Sequence, residues 1–140
     1  MRMIINNKVY DTDTAKLLGS FDNGERPGDL HSIEQALYRK KTGEYFVFSE
    51  GGAATRYATK KIDGWSSGWD IDPMGYRKAK EWAEENLSAE EYEAAFGIPT
   101  EGTAAVTVEL SAAAKLRLEG EASESGRSYA QIIEALIEKL

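Results

Sequence analysis

A chain of 140 residues with 17 basic and 24 acidic side chains, net charge −7, holds one ordinary domain or a small domain with an appendage. Its sign argues against non-specific nucleic-acid binding, which draws on Lys and Arg, and points to protein partners, including a basic surface that normally holds nucleic acid. The absence of cysteine excludes a disulfide framework and a thiolate zinc site. No apolar run approaches the ~20 residues that span a bilayer, and "MRMIINNKVYD" turns polar too early for a secretory signal, so a cytoplasmic protein without membrane association is expected.

In chain order, "MIINNKVY" predicts a tight hairpin around Asn6 and Asn7, with Ile4, Ile5, Val9 and Tyr10 as its apolar positions. Polar turn-formers in "DTDT" precede a short apolar run ending at Phe21, and "NGERPGDLHS" reads as a surface loop. The clearest hairpin is "EQALYRKKTGEYFVFSE", where two runs of strand formers flank Lys41-Thr42-Gly43. A glycine-rich stretch follows, with Trp69-Asp70-Ile71 returning as an edge strand.

The pattern then turns helical. Asp72 and Pro73 predict an N-cap and first helical position, and Tyr76, Ala79, Ala83 and Leu87 share one face. Ser88 with Glu91 forms the capping box of a second helix, Leu87 staples onto Tyr92, and Gly97 and Pro99 end it. "IPTEGT" reads as a linker.

In the last forty residues, Val106, Val108 and Leu110 alternate with Ala105, Thr107 and Glu109, the period of a strand with one buried face. Ser111 caps a helix carrying Ala114, Leu118 and Ala122, and Gly126 stops it. Ser128 and Gln131 open another, on which Tyr129, Ile132, Ile133, Leu136, Ile137 and Leu140 form a wide apolar stripe. One strand and two helices cannot bury this surface alone, and a lone strand leaves its backbone unpaired. Two copies pairing strands antiparallel and interlocking helices solve both problems. Val106, Val108, Leu110, Leu118, Ile132, Ile133, Leu136 and Ile137 are therefore the expected dimerisation residues.

"VTVELS", "SESGRS" and "IIEALIEKL" together resemble the ribbon-helix-helix (Arc/CopG-like) family, over residues 103 to 140. The resemblance implies a two-stranded ribbon whose outward side chains read bases in the major groove, and a second-helix N-terminus that grips phosphate. Carried onto this chain, Thr107 and Glu109 would face bases, with Arg127 and Ser128 at the phosphate. Glu109 departs from the basic or neutral residue usual there. Two symmetry-related carboxylates beside phosphates, on a segment with four basic and six acidic residues, imply a fold kept for dimerisation with DNA binding weak or lost. Residues 1 to 97, through "YDTDTAKLLG", "ALYRKKTGEYFVFSEGG", "GWSSGW" and "AKEWAEENLSAEEYEAAFG", resemble small accessory proteins of conjugative elements and prophages. Some small acidic proteins of such elements block host defence nucleases, as anti-CRISPR proteins do.

Signs of catalysis are few. His31 is the only histidine and sits in a polar loop, and no Ser motif such as G-x-S-x-G appears. Asp11 and Asp13 suit turn capping better than a cation site. "SEGGAATRY" lacks the Lys and spacing of a phosphate loop. No enzyme activity, cofactor or metal is expected. Two features point to a partner: the acidic helical run Glu81, Glu84, Glu85, Glu90, Glu91 and Glu93, and the aromatic stretch with Tyr57, Trp65 and Trp69.

The expectation is thus an α+β protein: a small antiparallel sheet covered by two helices (1–97), a linker (98–102) and a strand-helix-helix dimerisation module (103–140). It would be a homodimer acting by protein binding, anti-CRISPR-like, through Glu81, Glu84, Glu85, Glu90, Glu91, Trp65 and Trp69. The alternative is a ribbon-helix-helix repressor or antitoxin on operator DNA.

Overall fold

The computed structural model describes all 140 residues and is α+β, with antiparallel sheets and four helices. Residues Met1–Pro99 and Thr100–Leu140 form two compact units.

The first unit opens with a hairpin, β1 (Arg2–Ile5) and β2 (Lys8–Asp11), closed by Asn6 and Asn7 at φ 50° and 62°. Asn tolerates this left-handed backbone, which matches the twist of the flanking strands. The hairpin turns Met3, Ile5 and Tyr10 toward the core and leaves Ile4 and Val9 exposed, so only half of its expected apolar set packs. Asp11 holds the following turn by accepting from the Asp13 N–H at 2.9 Å.

The main sheet comprises β3 (Lys16–Asp22), β4 (Ile33–Arg39), β5 (Tyr45–Gly51) and β8 (Gly68–Met74), antiparallel and in the order β3-β4-β5-β8. A separate two-stranded ribbon, β6 (Thr59–Lys61) and β7 (Gly64–Ser66), lies within the connection to β8.

Strand alternation divides the core in two. Leu37, Tyr45 and Val47 face α1 (Tyr76–Asn86) and α2 (Ala89–Phe96), meeting Ala79, Ala83 and Tyr92. Phe46 and Ile71 face the other way, against Tyr10, Tyr38, Phe48 and Trp69. Phe46 is wholly buried, stacked on Tyr38 with ring centres 5.2 Å apart and edge-on to Tyr10 at 5.6 Å.

The first helix starts later than Asp72 and Pro73 suggest. Both belong to β8, where Pro73 pairs with Phe46 and Asp72 with Val47, and Gly75 is the N-cap. β8 is an outer strand, so the missing proline N–H can face away from the ladder and Pro is tolerated. Tertiary pairing of an alternating stretch has overridden a local helix-start signal. The Ser88 cap forms as the sequence predicts: Ser88 Oγ accepts from the Glu91 N–H at 3.2 Å, and Glu91 accepts from the Ser88 N–H at 3.4 Å.

Glycines permit two close approaches. A Cβ on Gly68 would collide with the Tyr57 carbonyl, and one on Gly52 with the backbone of Asp29 and Leu30. Gly68→Ala is therefore expected to destabilise the first unit by about 1–3 kcal/mol, because backbone must move to admit the methyl. A lower urea midpoint in tryptophan fluorescence would register this.

In the second unit, Ser111 caps α3 (Ala112–Ser125) by accepting from the Ala114 N–H at 3.1 Å, and Gly126 ends it at φ 71°. Ser128 and Gln131 form the capping box of α4 (Tyr129–Ile137). Residues 101–111 belong to no strand, and the main chain of 100–110 makes no backbone hydrogen bond within the chain. The strand expected over 105–110 is therefore not formed in the single chain, where no neighbouring strand pairs with it.

Candidate interaction surfaces

Of the second unit's large apolar side chains, only Ile132 is buried, at 6% exposure, with Leu118, Ala122 and Ala135 half-buried. Leu118 and Ile132, expected at the dimer contact, are thus mostly spent within one chain. Val106, Val108, Leu110, Leu116, Tyr129, Ile133, Leu136, Ile137 and Leu140 are exposed, Val106 to 83% and Leu136 to 58%. This much apolar surface on about forty residues far exceeds the scattered exposure normal for a soluble domain. A concavity of about 540 Å³ is lined by Ala114, Leu118, Ile132, Ala135 and Leu136, with the charged Arg117, Glu121, Arg127 and Lys139 among them.

The residues matched to DNA contacts are exposed but differently engaged. Thr107 and Glu109 carry no intrachain hydrogen bond and lie open to solvent. Arg127 is committed to Glu121 by an ion pair of 3.2 Å, and its backbone N–H reaches Ser125 Oγ. Ser128 Oγ already accepts from the Gln131 N–H. The expected phosphate clamp is therefore occupied by capping and pairing within the chain.

In the first unit the acidic run divides. Glu81, Glu84, Glu85, Glu90 and Glu93 are exposed, with Glu81 3.7 Å from Arg77 one turn earlier. Glu91 is half-buried, serving the Ser88 cap and accepting from the Ser20 N–H of β3 at 3.3 Å. Its carboxylate is thus engaged within the chain. Trp69 is half-buried, with its ring 5.9 Å from Phe48. Trp65, on β7, is 61% exposed beside Ile62 at the fully exposed tip of the β6–β7 ribbon. A large aromatic held on a ribbon and left in solvent has the form of an interface anchor. His31 is exposed, and its carbonyl accepts from Asn23 Nδ2 at 2.8 Å.

One feature escaped the sequence reading. On the helix-bearing side of the sheet, α1 and α2 cover Leu37, Tyr45 and Val47, while the next row across the strands, Gln35, Ser49 and Asp70, floors a groove of about 760 Å³. Trp82, Glu85 and Asn86 from the end of α1 line one part of it, and Arg56 and Tyr57 another. Gln35 Nε2 donates to Ser49 Oγ at 3.0 Å and to the Tyr57 hydroxyl at 3.1 Å, and Arg56 Nη2 donates to that hydroxyl at 2.6 Å. Asp70 and Asp72, two apart on one strand, put both carboxylates on this side. That spacing was visible in "WDID", but reading Asp72 as a helix cap hid it.

Elsewhere in this unit, Glu44 binds Lys8 at 3.1 Å and Lys40 at 3.7 Å. The hydrogen bond from Lys8 holds its carboxyl below the usual range, while burial, then Glu44, pushes the Tyr10 phenol up. No group of three or more His, Cys, Asp or Glu side chains is gathered to hold a metal ion, and no helix is long and apolar enough to cross a membrane. Comparison with protein-family models, curated proteins and solved structures finds no match for this chain.

Proposed function

We propose that the protein is a homodimer that acts by binding another protein, without catalysis of its own, and that its target is a nucleic-acid enzyme with a basic surface, such as a bacterial defence nuclease. The observation that carries the dimer is the exposed apolar set from Val106 to Leu140 beside an unpaired main chain over 100–110. A second copy offers the matching strand and helices at once, in the ribbon-helix-helix manner. The exposed carboxylates Glu81, Glu84, Glu85 and Glu90 and the exposed Trp65 supply charge and an anchor for the target. Pairing two chains presents these groups twice and raises avidity by effective concentration.

The competing reading is an operator-binding repressor or antitoxin, favoured by the open positions of Thr107 and Glu109. Fluorescence anisotropy with promoter DNA separates the two. Tight binding that falls steeply with salt and improves in Glu109→Arg supports the DNA reader; weak binding insensitive to that change supports the protein binder. Truncation after Gly97 should leave a monomer in sedimentation velocity, whereas a dimeric truncation refutes the role given to the tail. In reactions of RNA-guided DNA nucleases, the intact dimer should suppress cleavage and Trp65→Ala should relieve it.

A further inference from the structure

We infer that the end of the first unit formed by the β4–β5 turn and the start of α1 binds single-stranded nucleic acid, with its cations on phosphates and an exposed tyrosine stacked on a base. This goes beyond the protein-binding reading and does not depend on it.

The net charge of −7 conceals how the first unit's charges are sorted. At one end of the sheet Lys16 lies opposite Arg39, and Arg39 opposite Tyr45; at the far end of the same strands Asp22 lies opposite Glu34, and Glu34 opposite Glu50. The helix α1 repeats the division, with Arg77, Lys78 and Lys80 early and Glu81, Glu84 and Glu85 late. The two basic ends coincide. Tyr45, beside Arg39, has its ring 6.1 Å from that of Tyr76, and Gly43 of the β4–β5 turn lines a concavity of about 460 Å³ with Gly75 and Tyr76. Both arrangements act against folding. Like charges directly opposite on neighbouring strands repel, and cations at a helix start oppose a dipole that no acid in the first turn of α1 offsets. A bound anion relieves both.

Aromatic rings among the cations select a nucleic acid over a bare phosphate or an acidic peptide. Arg39 lies 5.8 Å over Tyr45, Lys40 4.4 Å over Tyr10 and Lys80 5.3 Å over Tyr76. Such pairs occur roughly once per 70–80 residues, so about two are expected in the whole chain, and three stand at this one end. Tyr10 and Tyr45 are buried and serve the core. Tyr76 is 56% exposed, and Tyr45 and Phe96 brace its ring with centres 6.1 and 5.9 Å away. A braced ring facing solvent among cations is a platform for an unpaired base, while the cations track the backbone. Bases in a duplex are already stacked on one another, so the single strand is the form that fits. Glu44, in the same concavity, is engaged by Lys8 and Lys40, and Arg39, Lys41 and Lys80 form no ion pair within the chain.

The test is fluorescence anisotropy of the full-length protein with a labelled oligothymidine of about twelve nucleotides in low salt, repeated with a duplex of equal length and with a capped polyglutamate peptide. Oligothymidine should bind, more weakly as salt rises, and the duplex and the peptide should bind at least about tenfold less tightly. Tyr76→Ala should weaken oligothymidine about tenfold without changing the salt dependence, and Tyr76→Phe, which keeps the stacking face, should not. Arg39→Gln with Lys41→Gln should weaken it about tenfold and flatten the salt dependence. The charge-matched pair Lys60→Gln with Lys61→Gln, on the β6–β7 ribbon, should change it less than about twofold. All these side chains except Lys60 and Lys61 lie at the proposed site, all are exposed, and an unchanged urea midpoint confirms that each variant folds.

Absence of oligothymidine binding in low salt would overturn the site. So would equal weakening by both glutamine pairs with Tyr76→Ala silent, which means diffuse attraction. Preference for polyglutamate would assign this face to an acidic protein, and preference for the duplex would remove the stacking role of Tyr76; either overturns the inference. The protein-binding reading turns on Trp65 and this one on Tyr76, so nuclease suppression that survives Tyr76→Ala, or oligothymidine binding that survives Trp65→Ala, shows which of the two stands.

Discussion

Leu136→Asp is expected to convert the protein from dimer to monomer at micromolar concentration. Leu136 is exposed in the single chain, so an aspartate there costs the fold of one copy little. In the proposed dimer it would sit beside Ile133 and Ile137, apolar side chains that a single copy leaves exposed. Fully burying a leucine contributes about 1.5–3 kcal/mol, and two-fold symmetry counts the change twice. Burying an unpaired carboxylate costs several kcal/mol more. A loss of about 4 kcal/mol is about a thousandfold in the dissociation constant. Sedimentation velocity across a concentration series reads this directly. A dimer of undiminished strength would place the interface elsewhere on the chain.

The second large effect is expected in the first unit. Phe46 is wholly buried on a central strand and touches two aromatic rings, so Phe46→Ala loses its transfer free energy, leaves a cavity and breaks both ring contacts. The expected cost is about 3–5 kcal/mol, a large fraction of the 5–15 kcal/mol typical of a domain. Trp65, Trp69 and Trp82 all lie in residues 1–99, and the second unit has none. Tryptophan fluorescence in urea therefore follows the first unit alone. Its midpoint should fall sharply, while the self-association proposed for residues 100–140 would rest on a separate set of side chains. An unchanged midpoint would remove Phe46 from the core.

The sequence was most legible where local chemistry and tertiary demand agree. Asn6-Asn7 closes a hairpin because both residues accept positive φ, and "EQALYRKKTGEYFVFSE" pairs from Glu34 opposite Glu50 to Arg39 opposite Tyr45. The caps at Ser88, Ser111 and Ser128 are local hydrogen-bond devices that need no knowledge of the fold. Legibility failed where long-range pairing decides. Asp72-Pro73 carries a helix-start signal, yet β5 recruits it as an edge strand. The β6–β7 ribbon was lost in a glycine-rich stretch with too few apolar residues to show a period.

The candidate surfaces were legible in the same uneven way. The exposed stripe of the last forty residues could be read directly, because periodicity names a face whether or not anything covers it. Glu91 and Trp69 could not be told from their exposed neighbours, since burial depends on which element packs across them. The groove stayed hidden for the strongest reason: Gln35, Ser49 and Asp70 are far apart in sequence and adjoin only through strand register.

The unpaired main chain of residues 100–110 also bears on how long the protein survives in a cell. Proteases take substrates as an added strand, so they seek the same N–H and C=O groups that a twin chain would cover. Under the proposed pairing, a lone copy would present this segment to digestion and a paired copy would shield it. Abundance would then feed back on lifetime, chains made in a burst protecting one another while lone copies are cut.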